Sequence, residues 1–204
     1  MTTHQCVAKL VGHGGPVRTL VYDNGRVYSG SYDKTVRAWD ANTLEAIACL
    51  EGHSGAVRAL AAGSNMIFSG SDDATVRVWD ERMACVRTLE GHDDNVRVLA
   101  VDDHRLFSGS WDKTVRVWCL RTLNCLKVLE GHGEAVLALA VCGDRFIVSG
   151  SYDTTVIFWS LDTYACERKG EGHEDAVRVL AANEDGNVFS GSYDGSIGVW
   201  RSDA

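Results

Sequence analysis

Apolar and polar residues alternate along this chain in short runs separated by turn-forming residues, the pattern of hairpin-linked strands. Between His13 and His53 the runs fall at 17–22, 26–31 and 35–39, divided by Asp23-Asn24-Gly25 and Tyr32-Asp33-Lys34, and a fourth follows at 45–50. The spacing predicts four antiparallel strands within a unit of about forty residues.

The same arrangement returns along the whole length. The stretch 29–40, SGSYDKTVRAWD, has close copies at 69–80, 108–119, 149–160 and 190–201. Each holds a Ser-Gly-Ser, an Asp four residues after its first Ser, and a Trp six residues after that Asp. Gly-His pairs end at His13, His53, His92, His132 and His173, at intervals of 40, 39, 40 and 41 residues. Four-stranded units repeated in series at this period are the pattern of propeller blades.

With five copies of GH…SGSxD…W in register, the chain resembles the WD40 repeat family over essentially its whole length. The Trp-Asp dipeptide itself persists only at 39–40 and 79–80, with Cys119, Ser160 and Arg201 in place of the Asp. The resemblance implies an all-β, WD40-type β-propeller: one domain over 1–204, with five repeats at about 5–39, 45–79, 84–118, 124–159 and 164–200. Residues 5–11 carry the fourth-strand pattern found before the other Gly-His pairs, whereas the last unit stops after its third strand. The expectation is therefore a ring of five four-stranded blades closed by the N-terminal strand. The path from Trp200 round to His13 is 17 residues long, against 13 or 14 from Trp to His elsewhere. Closure would remove two open sheet edges and two apolar faces, while five blades must each turn through about 72°. The alternative is an open five-blade arc completed by oligomerisation.

Composition narrows the classes of function. At 204 residues, 45% apolar and 24% charged, the chain is an ordinary globular domain. A net charge of -8 argues against duplex nucleic acid and anionic membrane as partners of the whole surface. No apolar run reaches the length of a membrane span, and the polar start lacks a signal-peptide core. The seven cysteines contain no CxxC pair, and Cys6, Cys85, Cys125 and Cys166 each stand seven residues before a repeat's His. Equivalent sites on neighbouring units lie too far apart to bridge, so reduced thiols and a cytoplasmic or nuclear protein are expected. Neither a metal nor a cofactor is expected.

Each unit carries a His, a Ser, an Asp and a Trp, residue types that invite a triad reading. The sets are His13, Ser29, Asp33 and Trp39; His53, Ser69, Asp73 and Trp79; His92, Ser108, Asp112 and Trp118; His132, Ser149, Asp153 and Trp159; His173, Ser190, Asp194 and Trp200. Fivefold repetition and the lack of a nucleophile elbow argue against catalysis. The resemblance implies buried hydrogen-bond chains instead, a role suited to the Trp N–H, the Ser hydroxyl and a carboxylate that fixes the imidazole tautomer.

The resemblance also points to two positions per repeat on the face where ligands meet such propellers. The residue after the first Val of the inner strand reads Arg18, Arg58, Arg97, Leu137 and Arg178, and the residue before the motif Asp reads Tyr32, Asp72, Trp111, Tyr152 and Tyr193. Guanidinium forks beside aromatic faces suit carboxylates or phosphates on an extended peptide. Against this, Asp93, Asp94, Glu134, Glu174 and Asp175 in the Gly-His loops are placed to neutralise the arginines. Arg37, Arg77 and Arg116, alternating with apolar residues before each Trp, are expected to serve structure between blades.

The expected function is a non-enzymatic scaffold or adaptor that binds an acidic or phosphorylated peptide, or another protein, through this face. The repeats resemble the propellers of ubiquitin-ligase substrate receptors, where arginines at these positions grip phosphorylated segments; a ligase link would require a separate subunit or domain. The alternative is a structural propeller acting through self-association or side contacts in a larger complex.

Overall fold

The structure, a computed structural model, describes residues 5–201. Among the described residues there are nineteen strands and no helix. The strands form five antiparallel sheets, each meandering in sequence order. The first contains β1 (Val17–Asp23), β2 (Arg26–Ser31), β3 (Val36–Asp40) and β4 (Ala46–Leu50). The second contains β5 (Val57–Gly63), β6 (Met66–Ser71), β7 (Val76–Trp79) and β8 (Cys85–Leu89). The third contains β9 (Val96–Val101), β10 (Arg105–Ser110), β11 (Val115–Cys119) and β12 (Cys125–Leu129). The fourth contains β13 (Val136–Cys142), β14 (Phe146–Ser151), β15 (Val156–Ser160) and β16 (Cys166–Gly170), and the fifth only β17 (Val177–Ala182), β18 (Asn187–Ser192) and β19 (Ile197–Arg201).

The core lies between sheets rather than within any one of them. Tyr28, Val36, Ala38 and Leu50 of the first sheet pack on Val57, Leu60, Ile67 and Trp79 of the second. Equivalent clusters join the second to the third, the third to the fourth and the fourth to the fifth. An inner sheet is therefore covered on both faces, and every residue of β14 and β15 is buried. That is why 146–148 and 156–159 read as continuous apolar runs instead of clean alternation. In the end sheets alternation returns: β19 shows every second residue to solvent, and β1 does so from Arg18 onward, after an exposed Val17.

The innermost strands pack in the order β1, β5, β9, β13, β17. At each junction the Gly of one Ser-Gly-Ser strand meets the first Val of the next inner strand, as Gly30 meets Val57. A Cβ built on Gly30 would lie 2.6 Å from Val57 Cγ1, so no larger residue fits and the sheets touch at closest approach.

Among the described residues the strand pairing that would close the expected ring is not seen. Residues 5–11 join no strand, β19 pairs with β18 alone, and Val7 and Val11 lie open to solvent. The fifth sheet is three-stranded, and the architecture is the open five-blade array. The junctions supply the physical reason. Turning each through about 72° would splay the sheets' outer halves, where Ala38, Leu50 and Trp79 pack to within a few per cent of full burial.

Candidate functional site

The repeated polar residues fall into five superimposable networks. His Nδ1 donates to Asp Oδ2 at 2.8, 2.7, 2.6, 2.9 and 2.7 Å in the five units. Ser Oγ lies 2.7–2.8 Å from His Nε2 in each. The Trp indole N–H donates to the same Ser Oγ at 2.7–2.9 Å. One direction of donation satisfies every atom: Trp to Ser, Ser to His, His to Asp. The Asp also receives the backbone N–H after the His, for example Gly14 at 2.8 Å, which ties the Gly-His loop to the turn between the second and third strands.

A fifth partner escaped the sequence reading. Thr35, Thr75, Thr114 and Thr155, two residues after each Asp, donate their hydroxyls to its Oδ1 at 2.6–2.7 Å. Ser196 holds that place in the last unit, where its hydroxyl approaches His173 Nδ1 at 3.1 Å. The signal was present as Asp-x-Thr/Ser in all five repeats, but a Thr in a strand passes for an ordinary β-former. Burial works against ionisation of Asp73, Asp112 and Asp153, yet the bonds from His and Thr outweigh it and hold all three well below the usual carboxylate range. Ser69, Ser108 and Ser149 are fully buried, each receiving the indole N–H of its Trp. These sets are frame.

The second position group gathers on one face through a backbone device that the sequence did not reveal. In every sheet the register slips after the first Val of the inner strand: Val17 faces Ser31 but Thr19 faces Gly30, and the slip recurs at 57/59, 96/98, 136/138 and 177/179. Arg18, Arg58, Arg97, Leu137 and Arg178 are thus each the extra residue of a β-bulge, a feature that re-aims a side chain out of the ladder. Tyr32, Asp72, Trp111, Tyr152 and Tyr193 follow the second strand, in the turn against which the bulged residue lies.

Charge on this face is unevenly satisfied. Arg58 donates from Nε and Nη2 to Asp72 at 2.7 and 2.5 Å, and from Nη1 to the Tyr32 hydroxyl. Its Cζ lies 4.2 Å from the Tyr32 ring centroid, while Arg178 lies 5.4 Å from that of Tyr193. The Asp72 bond dominates a rise in the Arg58 pKa. Arg18, Arg97 and Arg178 make no hydrogen bond or ion pair with the described residues. Burial, followed by the charges of Arg58, Arg178 and Arg18, depresses the Arg97 pKa.

The acidic loop residues do not relieve this. Asp94 and Asp175 accept backbone N–H groups next to them, and Glu134 pairs with Lys113 at 3.2 Å. Leu137 is buried with Ala135 and Ala176 and forms an apolar break in the ring. Trp111 and Tyr152 meet edge to face at 6.5 Å beside it. Arg37, Arg77 and Arg116 lie instead over the glycines of the Gly-His loops, Arg116 donating to the Gly91 carbonyl at 2.6 Å.

Serial four-stranded sheets with rigid loop networks and a varied polar face define the β-propeller class of interaction domains. Five stretches, 4–40, 44–80, 83–119, 123–160 and 164–201, match the family described as WD domain, G-beta repeat. The chain belongs to the WD40 family. A comparison with curated proteins finds no match. Among solved structures, the computationally designed Ika8 protein superposes with a TM-score of 0.87 at 37% identity, over 93% of this chain and 59% of that one. The WD40 β-propeller domain of Doa1 superposes with a TM-score of 0.82 at 28% identity, over 95% of this chain and 66% of that one. The chain thus spans about three fifths to two thirds of these structures. WD40 propellers generally act as non-catalytic scaffolds that bind proteins or peptides.

Proposed function

We propose that this chain is a scaffold or adaptor without catalytic activity of its own, whose arginine and aromatic face captures acidic or phosphorylated peptide segments. The observation that carries this reading is Arg97: half-buried, crowded by three like charges that Asp72 offsets only in part, and without a hydrogen bond or ion pair among the described residues. A guanidinium so placed destabilises the free protein and gains most when an anion arrives. Tyr32, Trp111, Tyr152 and Tyr193 are each exposed by two fifths or more and offer flat surfaces beside the charge.

Fluorescence anisotropy with peptide pools matched in sequence, phosphorylated and unphosphorylated, tests the reading. Arg97→Ala is expected to weaken the phosphorylated pool by at least about tenfold, the scale of a lost charge-assisted bond. The same substitution leaves the melting temperature unchanged or raises it, since it relieves repulsion. Equal affinity for both pools, or indifference to Arg97→Ala, would contradict the proposal.

A further inference from the structure

The two ends of the array differ from each other and match each other. At all four internal junctions a Val sits over a Gly of the preceding sheet: Val57 on Gly30, Val96 on Gly70, Val136 on Gly109 and Val177 on Gly150. A Cβ on any of these glycines would fall 2.6–2.7 Å from the Val Cγ1, and all four valines are completely buried. Two members of the series have no mate among the described residues. Val17, which opens β1, is 49% exposed, and Gly191 in β18 has only Val179 of its own sheet within 4 Å.

The surfaces around them follow suit. Leu20 beside Val17 is 65% exposed, whereas Leu60, its counterpart in the second sheet, is buried. Ile197 beside Gly191 is 75% exposed, whereas Val36, Val76, Val115 and Val156 at the same place are completely buried. The edges repeat the relation. β19 has no outer strand, and residues 6–10 stand in the register of β16 without pairing to anything. In the first sheet Val36 faces Leu50 and Ala38 faces Ala48. Carried over, that register sets Ile197 opposite Leu10 and Val199 opposite Ala8.

We propose that a second copy of this chain docks head to tail on the first. Val17 of one copy seats on Gly191 of the other, and residues 6–10 of the former add the fourth strand to β19 of the latter. The occupant is another copy because both halves of the interface are present in this chain. The contact continues, as a fifth junction, the one that already joins its own sheets four times. Such an interface is heterologous, so each copy keeps a free head and a free tail, and association runs on until a ring closes.

Sedimentation velocity on the full chain, on Val17→Asp, on Ile197→Asp and on an equimolar mixture of the two variants tests this. Both side chains are exposed in the isolated chain, so both variants should fold, which circular dichroism checks; Leu20→Asp and Val199→Asp provide a second pair. The wild type is expected to associate with rising concentration, each variant alone to stay monomeric, and the mixture to give a one-to-one heterodimer that grows no further. The mixture works because each variant retains the half that the other lacks. A wild type that stays monomeric, a single variant that still self-associates, or a mixture that does not pair would overturn the proposal.

Discussion

Within a blade, the decisive residue is the Asp of each network, because its hydrogen bonds hold it ionised against the opposing effect of burial. The folded-state pKa of Asp112 is depressed, burial opposing and the His92 and Thr114 bonds prevailing. A depressed carboxylate contributes stability that is fully present above its unfolded pKa of about 4 and is lost as pH falls towards the folded value. Since Asp33, Asp73, Asp153 and Asp194 shift the same way, the melting temperature should fall steeply below about pH 4. Asp112→Asn should lower it at neutral pH and make the acid limb shallower, as differential scanning calorimetry from pH 3 to 7 would reveal (about the range of carboxylate titration). Parallel acid limbs would contradict this account of the network. The His, Ser, Asp and Trp of these sets were legible in the sequence because their spacing hardly varies across five repeats. Thr35 and its equivalents were not, since nothing local separates a Thr that donates to a buried carboxylate from one that merely favours a strand.

At the scale of the element, the turn between the second and third strands fixes both the frame and the placement of Tyr32, Asp72, Trp111, Tyr152 and Tyr193. The residue after each Asp lies in the left-handed region: Lys34 at φ 73°, Ala74 at 65°, Lys113 at 73°, Thr154 at 69° and Gly195 at 83°. Only the last unit uses glycine there, and Thr154 is β-branched, the type least suited to positive φ. Thr154→Gly is therefore expected to stabilise the chain by about 1 kcal/mol, measured as a higher denaturant midpoint with unchanged slope. A loss of stability would mean that the Thr154 side chain does more than its backbone costs. The strands and hairpins themselves were readable from alternation and turn residues. The bulges that aim Arg58 and Arg97 were not, because a one-residue slip depends on the partner strand and leaves no mark on the run that contains it.

At the scale of the whole molecule, five sheets form an arc with two unmatched ends, and the arginine face lies on its inner rim. The fourth-strand pattern of residues 5–11 and the burial of two edges and two apolar faces suggested a closed ring, against the steep turn that five blades require. In the structure the sheets meet through Val-on-Gly contacts at four junctions, and packing between repeats cannot be read from one repeat. The arc still brings Arg18, Arg58 and Arg178 within electrostatic range of Arg97, and that convergence underlies the proposed function. The most direct measurement is the affinity of the wild-type chain for a phosphorylated peptide across a salt series, by isothermal titration. Exposed charges are screened beyond about 8 Å at physiological ionic strength, so a cationic rim predicts affinity that falls continuously as salt rises, with a shallower fall in Arg97→Ala. Affinity that does not change with salt would contradict an arginine face built for anions.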